Sequence, residues 1–139
     1  MHIEHAGAVD DELVTACARL FPQLSTSPPP TREALAALVA SPGAFLLVAR
    51  DPHIIGTLTL TLYRVPTGLH ALINAVVVDE AARGRGVGEA LTRDAIRRAR
   101  DAGASRIQLT SRNTREAAHR LYRKLGFDQP ATTVFRMSL

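Results

Sequence analysis

With one cysteine, Cys17, the 139-residue chain has no partner for an intramolecular disulfide and no cysteine-rich metal site, and a reducing cytoplasm is the expected setting. Tryptophan is absent and aromatic residues make up only 4%, which removes the stacking platforms on which nucleic-acid bases usually lie. Lysine occurs once, at Lys124, so no Lys-Ser or Lys-Thr pair exists and a P-loop is excluded. No apolar run approaches the roughly eighteen residues that span a bilayer, and the N-terminus lacks the basic and apolar regions of a signal peptide. No membrane association and no bound metal are expected.

What is present reads as one folded domain over residues 1–139. Hydrophobic residues make up 46% of the chain, enough to fill a single core. The formal charge is +4 with a pI near 10.2, carried almost entirely by arginine. Arg93, Arg97, Arg98 and Arg100 share one predicted helix with Asp94 and Asp101, a mixed-sign pattern that suits a solvated face and speaks against nucleic acid as a partner.

The most informative stretch is Val76-Val77-Val78-Asp79-Glu80-Ala81-Ala82-Arg83-Gly84-Arg85-Gly86-Val87-Gly88. It reads as a buried strand, a glycine-rich turn and the start of a long helix. The first N–H groups of a helix have no intrahelical partner and sit at the positive end of its dipole. They bind phosphate when glycines curl the chain around them and keep side chains out of the way. Arg83 and Arg85 can add charge-assisted hydrogen bonds. The dinucleotide fingerprint fits poorly, because Gly84, Gly86 and Gly88 alternate and Glu89 stands where its third glycine belongs.

A second signal lies downstream. The short strand Ile107–Thr110 precedes a helix whose end carries Ala117 or Ala118, Leu121, Tyr122, Gly126 and Phe127. With Arg83-x-x-Gly86-x-Gly88 before it, this ending resembles the GCN5-related N-acetyltransferase (GNAT) family, strongly from Leu69 onward and weakly before. The predicted order is α-α-β-β-β-α-β-α-β behind a possible first strand at His2–Ala6. Strands are expected at Ala44–Ala49, Ile54–Arg64, Leu69–Val78, Ile107–Thr110 and Thr132–Leu139. The fold class is α/β (α+β), and the family's architecture implies a mixed central sheet whose parallel fourth and fifth strands splay apart, flanked by helices.

The resemblance implies acetyl-CoA as cosubstrate and direct attack on its thioester by a primary amine in a ternary complex. The loop Arg83, Gly84, Arg85, Gly86, Val87 and Gly88 would take the pyrophosphate, and main-chain groups of Val76, Val77 and Val78 would pair with the pantetheine arm. Asn113 would reach the cofactor from the loop before the last helix. Tyr122 would protonate the departing sulfur. Many relatives carry a carboxylate just before the valine run; here Ile73, Asn74 and Ala75 stand there, and Asn74 can orient a water but cannot accept a proton. His70 on the same strand is a candidate base, His119 reads as a helix-face residue one turn before Tyr122, and Arg115 occupies a position where relatives often have asparagine. The acceptor is a small amine or a peptide or protein amine, and the protein a monomer or homodimer. The missing carboxylate keeps one alternative open, an acyl-CoA sensor without catalysis.

Overall fold

Alternating Thr and Leu over Ile54–Val65 give the sheet its longest strand. In the computed structural model, which describes residues 1–139, the elements are β1 (His2–His5), α1 (Asp11–Leu20), α2 (Arg32–Ala40), β2 (Ala44–Arg50), β3 (Ile54–Val65), β4 (Gly68–Val78), α3 (Val87–Asp101), β5 (Arg106–Leu109) and α4 (Glu116–Lys124). The strands form one five-stranded sheet in the order β1-β2-β3-β4-β5. The first four are antiparallel neighbours, and β5 runs parallel to β4. The expected mixed sheet and parallel fourth and fifth strands are present. No helix is long and apolar enough to cross a membrane.

Each sheet face has its own core. On one, Leu47, Leu58, Leu60, Ala71 and Ile73 pack against Val87, Leu91, Ala95 and Ala99 of α3, residues spaced to share one helix face. On the other, Leu46, Val48, Ile54 and Val77 meet Leu13, Ala16, Cys17 and Leu20 of α1 and Leu35 of α2. Both N-terminal helices start at side-chain caps, with Asp10 accepting from the Leu13 N–H and Thr31 from the Ala34 N–H. The start of α3 lies tight on the sheet because β3 carries Gly56 beneath it. A Cβ there would stand 3.1 Å from Val87 Cγ1 and 3.2 Å from Leu91 Cδ1.

Two features depart from the pattern. β4 carries one extra residue against β3: Thr57 pairs with Val77, but Thr59 pairs with Asn74. The bulge places Ala75 at φ +51°, a left-handed conformation that costs a side-chain-bearing residue about 1–2 kcal/mol. Ala75→Val, with a branched Cβ in that conformation, is expected to lose a further ~1–2 kcal/mol in urea unfolding, whereas Ala75→Gly keeps stability close to wild type.

The second departure is a correction. The strand expected at Thr132–Leu139 does not form; the segment pairs with nothing in the sheet, and its residues are exposed. Its alternation of apolar and polar residues suits a strand, but an isolated strand has no partner for its main-chain groups and no face to bury.

Candidate active site

β4 and β5 pair only from His70–Arg106 to Ile73–Leu109. Beyond the bulge at Ala75, β4 runs on to Val78 without β5 beside it, and the two strand ends open into a cleft. The cleft has a volume of about 1420 Å³, above the ~300–1,000 Å³ of ordinary small-ligand pockets, so it suits a long ligand. Its walls are Val76, Val77 and Val78 of β4, the turn into α3 with Arg83, Gly84, Gly86, Val87 and Gly88, and the inner side of α4 with Leu121 and Tyr122.

The turn into α3 is built for an anion. Gly86 is the N-cap of α3 at φ +78°, and no side chain caps the helix start. Gly84 has φ +79°, and a Cβ at either glycine would meet nothing within 4 Å. The first N–H groups of α3 are therefore available to a ligand, at the positive end of a fifteen-residue helix. Among the residues lining the cleft, Ser111 has its hydroxyl buried without a hydrogen-bond partner. Such a group costs about 1–3 kcal/mol until something bonds to it.

Tyr122 is the one buried residue of α4. Its ring packs edge-on against Phe127, with centroids 5.8 Å apart. Burial pushes its phenol above the ordinary value, and the charge of Arg115 acts in the opposite direction. The phenol therefore holds its proton at neutral pH. Arg115→Gln is expected to raise it further. Ultraviolet titration of tyrosinate in a Tyr63→Phe background, where Tyr122 is the only tyrosine left, measures the midpoint directly. An unmoved midpoint would mean that the Arg115 charge does not reach the phenol.

Of the expected site residues, Tyr122, Val76, Val77, Val78, Arg83, Gly84, Gly86, Val87 and Gly88 come together around this one cleft. Three do not line it. Arg85 is drawn away by Asp51 of the β2–β3 turn, Nη2 to Oδ2 at 2.7 Å. Asn113 lines a different groove, on the β5 and α4 side. Asn74 is exposed and pairs with Thr59, on the far side of the bulge from the valines. Neither histidine reaches the cleft. His70 is buried near the start of β4, against the Tyr63 ring and 3.3 Å from Thr67 Oγ1, and His119 lines the second groove.

The sequence reading passed over several charged groups. Arg112, Arg120 and Arg136 line the cleft beside Arg83 and Arg115, against the carboxylates Glu89 and Glu116. Hydrogen bonds from Lys124 and Arg93 hold Glu89 below the usual carboxylate range, which makes it a poor base. The available signal was helical spacing: Glu116 and Arg120 lie four apart, on the face that carries Ala117 and Leu121.

Comparison with known proteins gives the family and the fold. The model of the acetyltransferase (GNAT) family matches residues 11–127. No curated protein matches the sequence. Among solved structures, a protein of Agrobacterium tumefaciens assigned as an acetyltransferase is 27% identical, with a TM-score of 0.85 and 100% of both chains covered. A transcriptional regulator from Bacillus halodurans is 28% identical at a TM-score of 0.79, covering 99% of this chain and 100% of that one. An aminoglycoside acetyltransferase from an uncultured soil metagenomic sample shares the fold, with 20% identity, a TM-score of 0.83 and coverage of 99% and 95%.

Proposed function

The chain belongs to the GNAT acetyltransferase family, and on that premise we propose that residues 1–139 form one catalytic domain that transfers an acetyl group from acetyl-CoA to a primary amine by direct attack in a ternary complex. One observation carries the reading: a single cleft gathers an uncapped glycine-rich helix start, a strand end left free on its β5 side and a buried tyrosine. Acetyl-CoA supplies the acyl group already activated as a thioester.

The chain's own groups then divide the work. Gly84, Gly86, Val87 and Gly88 present main-chain N–H groups to the diphosphate, and Arg83 adds its charge. Val76 to Val78 offer the main-chain groups that β5 leaves free, pairing with the amide-bearing arm and polarising the carbonyl oxygen. Tyr122 holds its Oη proton for the leaving sulfur. The amine must arrive neutral or lose its proton nearby, and Glu116 is the cleft carboxylate that makes no salt bridge, whereas Glu89 is paired with Arg93 and Lys124. Arg85, Asn74 and Asn113 have no part in this scheme. A cytoplasmic setting and a small-molecule or peptide amine complete it.

The lack of a carboxylate at Ile73, Asn74 and Ala75 favours one second reading, a sensor that binds acyl-CoA without turning it over. Thiol release from acetyl-CoA, followed across a panel of small amines, amino acids and peptides, separates the two. An enzyme gives release that depends on the amine. Binding of acetyl-CoA with no amine-dependent release would support the sensor.

A further inference from the structure

The walls of the cleft carry arginines that no carboxylate neutralises. Arg83, Arg112, Arg115, Arg120 and Arg136 line it against two acids, Glu89 and Glu116, and Glu89 is already bonded to Arg93 and Lys124. Elsewhere arginines find partners: Arg97 and Arg98 share Asp94, Arg19 pairs with Asp79, and Arg50 with Glu4 and Glu12. Arg112, Arg115, Arg120 and Arg136 make no salt bridge, so their charge is open to a ligand.

Helix α4 fixes where these charges lie along the cleft. Its C-terminal half flanks the phosphate turn: Lys124 Nζ is 2.7 Å from Glu89 Oε1, and Leu121 Cδ2 lies 3.8 Å from where a Cβ on Gly88 would stand. Arg115 is the N-cap of the same helix, six residues before Leu121 and so roughly 9 Å back along its axis. The charge of Arg115 acts on the Tyr122 phenol, which sets it at the reacting end of the cleft. Arg112 is tied to it, the Arg115 N–H donating to the Arg112 carbonyl at 3.0 Å. Ser111 comes just before, with its buried hydroxyl still lacking a partner. Two unpaired guanidiniums and an unsatisfied hydroxyl donor therefore border one end of the cleft, a donor set that suits an anion.

We propose that Ser111, Arg112 and Arg115 hold an anionic group on the acceptor, so that the amine acetylated here also carries a carboxylate or a phosphate. The inference rests on the transferase reading above. Both groups offer the same chemistry, oxygens that accept hydrogen bonds from guanidinium and hydroxyl. Glu116, beside Arg115 and lining the same cleft, leaves an unpaired negative charge for the amino end. A polycation fits poorly, since its further charges would meet the arginines.

Calorimetric titration of the CoA-saturated protein tests this, with β-alanine and O-phosphoethanolamine as anionic probes, butylamine as the match without an anion, and spermidine as the polycation. Saturable binding of an anionic probe, about tenfold or more tighter than butylamine or spermidine, is expected. The tighter of the two anionic probes identifies the group. Arg112 and Arg115 are exposed, so Arg112→Gln combined with Arg115→Gln should keep the far-ultraviolet circular dichroism spectrum. It should remove the preference while CoA affinity stays within about threefold. Equal binding of butylamine, tighter binding of spermidine, or no binding of either anionic probe would overturn the proposal. So would a double variant that loses CoA as much as it loses the probe, since the arginines would then serve the cofactor. Thiol release from acetyl-CoA keeps the two readings apart. Release with butylamine but with neither anionic probe overturns this inference and leaves the transferase standing. Anion-selective binding with no release from any amine supports the site and removes the transferase.

Discussion

Tyr122→Phe is expected to lower amine-dependent turnover by roughly 10²–10⁴-fold, the usual contribution of a positioned general acid. Affinity for acetyl-CoA should stay within about twofold, because the hydroxyl serves the transition state and not the bound ground state. The substitution isolates the proton. The ring that packs against Phe127 is kept, so the α4 contact and the fold are preserved. The measurement is steady-state kinetics at saturating acetyl-CoA, with calorimetry for affinity. The pH dependence has a definite sign: the phenol, raised by burial, stays protonated through neutrality, so wild-type activity should not fall from its loss of a proton until well into the alkaline range. Unchanged turnover would make Tyr122 a packing residue alone.

Gly88→Ala carries the second large effect, because it separates fold from site. Gly88 is the second residue of α3, and its φ is not in the left-handed region. A Cβ there would lie 3.7 Å from Val78 Cγ2 and 3.8 Å from Leu121 Cδ2, ordinary contact distances that require nothing to move. Alanine also favours helix over glycine, so stability should hold or rise by up to about 1 kcal/mol. The new methyl stands where β4, α3 and α4 converge on the cleft, in the path of a ligand approaching the N–H groups of α3. Acetyl-CoA affinity should weaken about tenfold or more, equivalent to ~1.4 kcal/mol, while the urea midpoint stays level or rises. Equal affinity in a stable Gly88→Ala protein would mean that the ligand does not approach this turn.

The parts of this account that were legible in the sequence are those that local chemistry decides. The apolar spacing of Val87, Leu91, Ala95 and Ala99 marks α3, the glycines before it mark an uncapped start, and the unbroken Val76–Val78 run marks a strand covered on both faces. The parts that were not legible depend on partners distant in the chain. Arg85 was expected beside the phosphate turn, and it is Asp51, on a turn between other strands, that takes its guanidinium. The bulge at Ala75 is a one-residue slip set by pairing with β3, and no residue type there announces it. Asn113 sits in a short connection, where a small difference in path decides which side of α4 a side chain meets. The Thr132–Leu139 segment has the pattern of a strand, but a pattern alone does not supply an edge to pair with.

Calorimetric titration of the purified chain with acetyl-CoA at physiological salt, with ADP as control, tests the central claim most directly. Saturable binding of acetyl-CoA, clearly tighter than ADP, is the predicted result, since ADP can occupy the phosphate turn but has no arm to pair with Val76–Val78. Absence of acetyl-CoA binding, or equal affinity for both ligands, would contradict the assignment of this cleft.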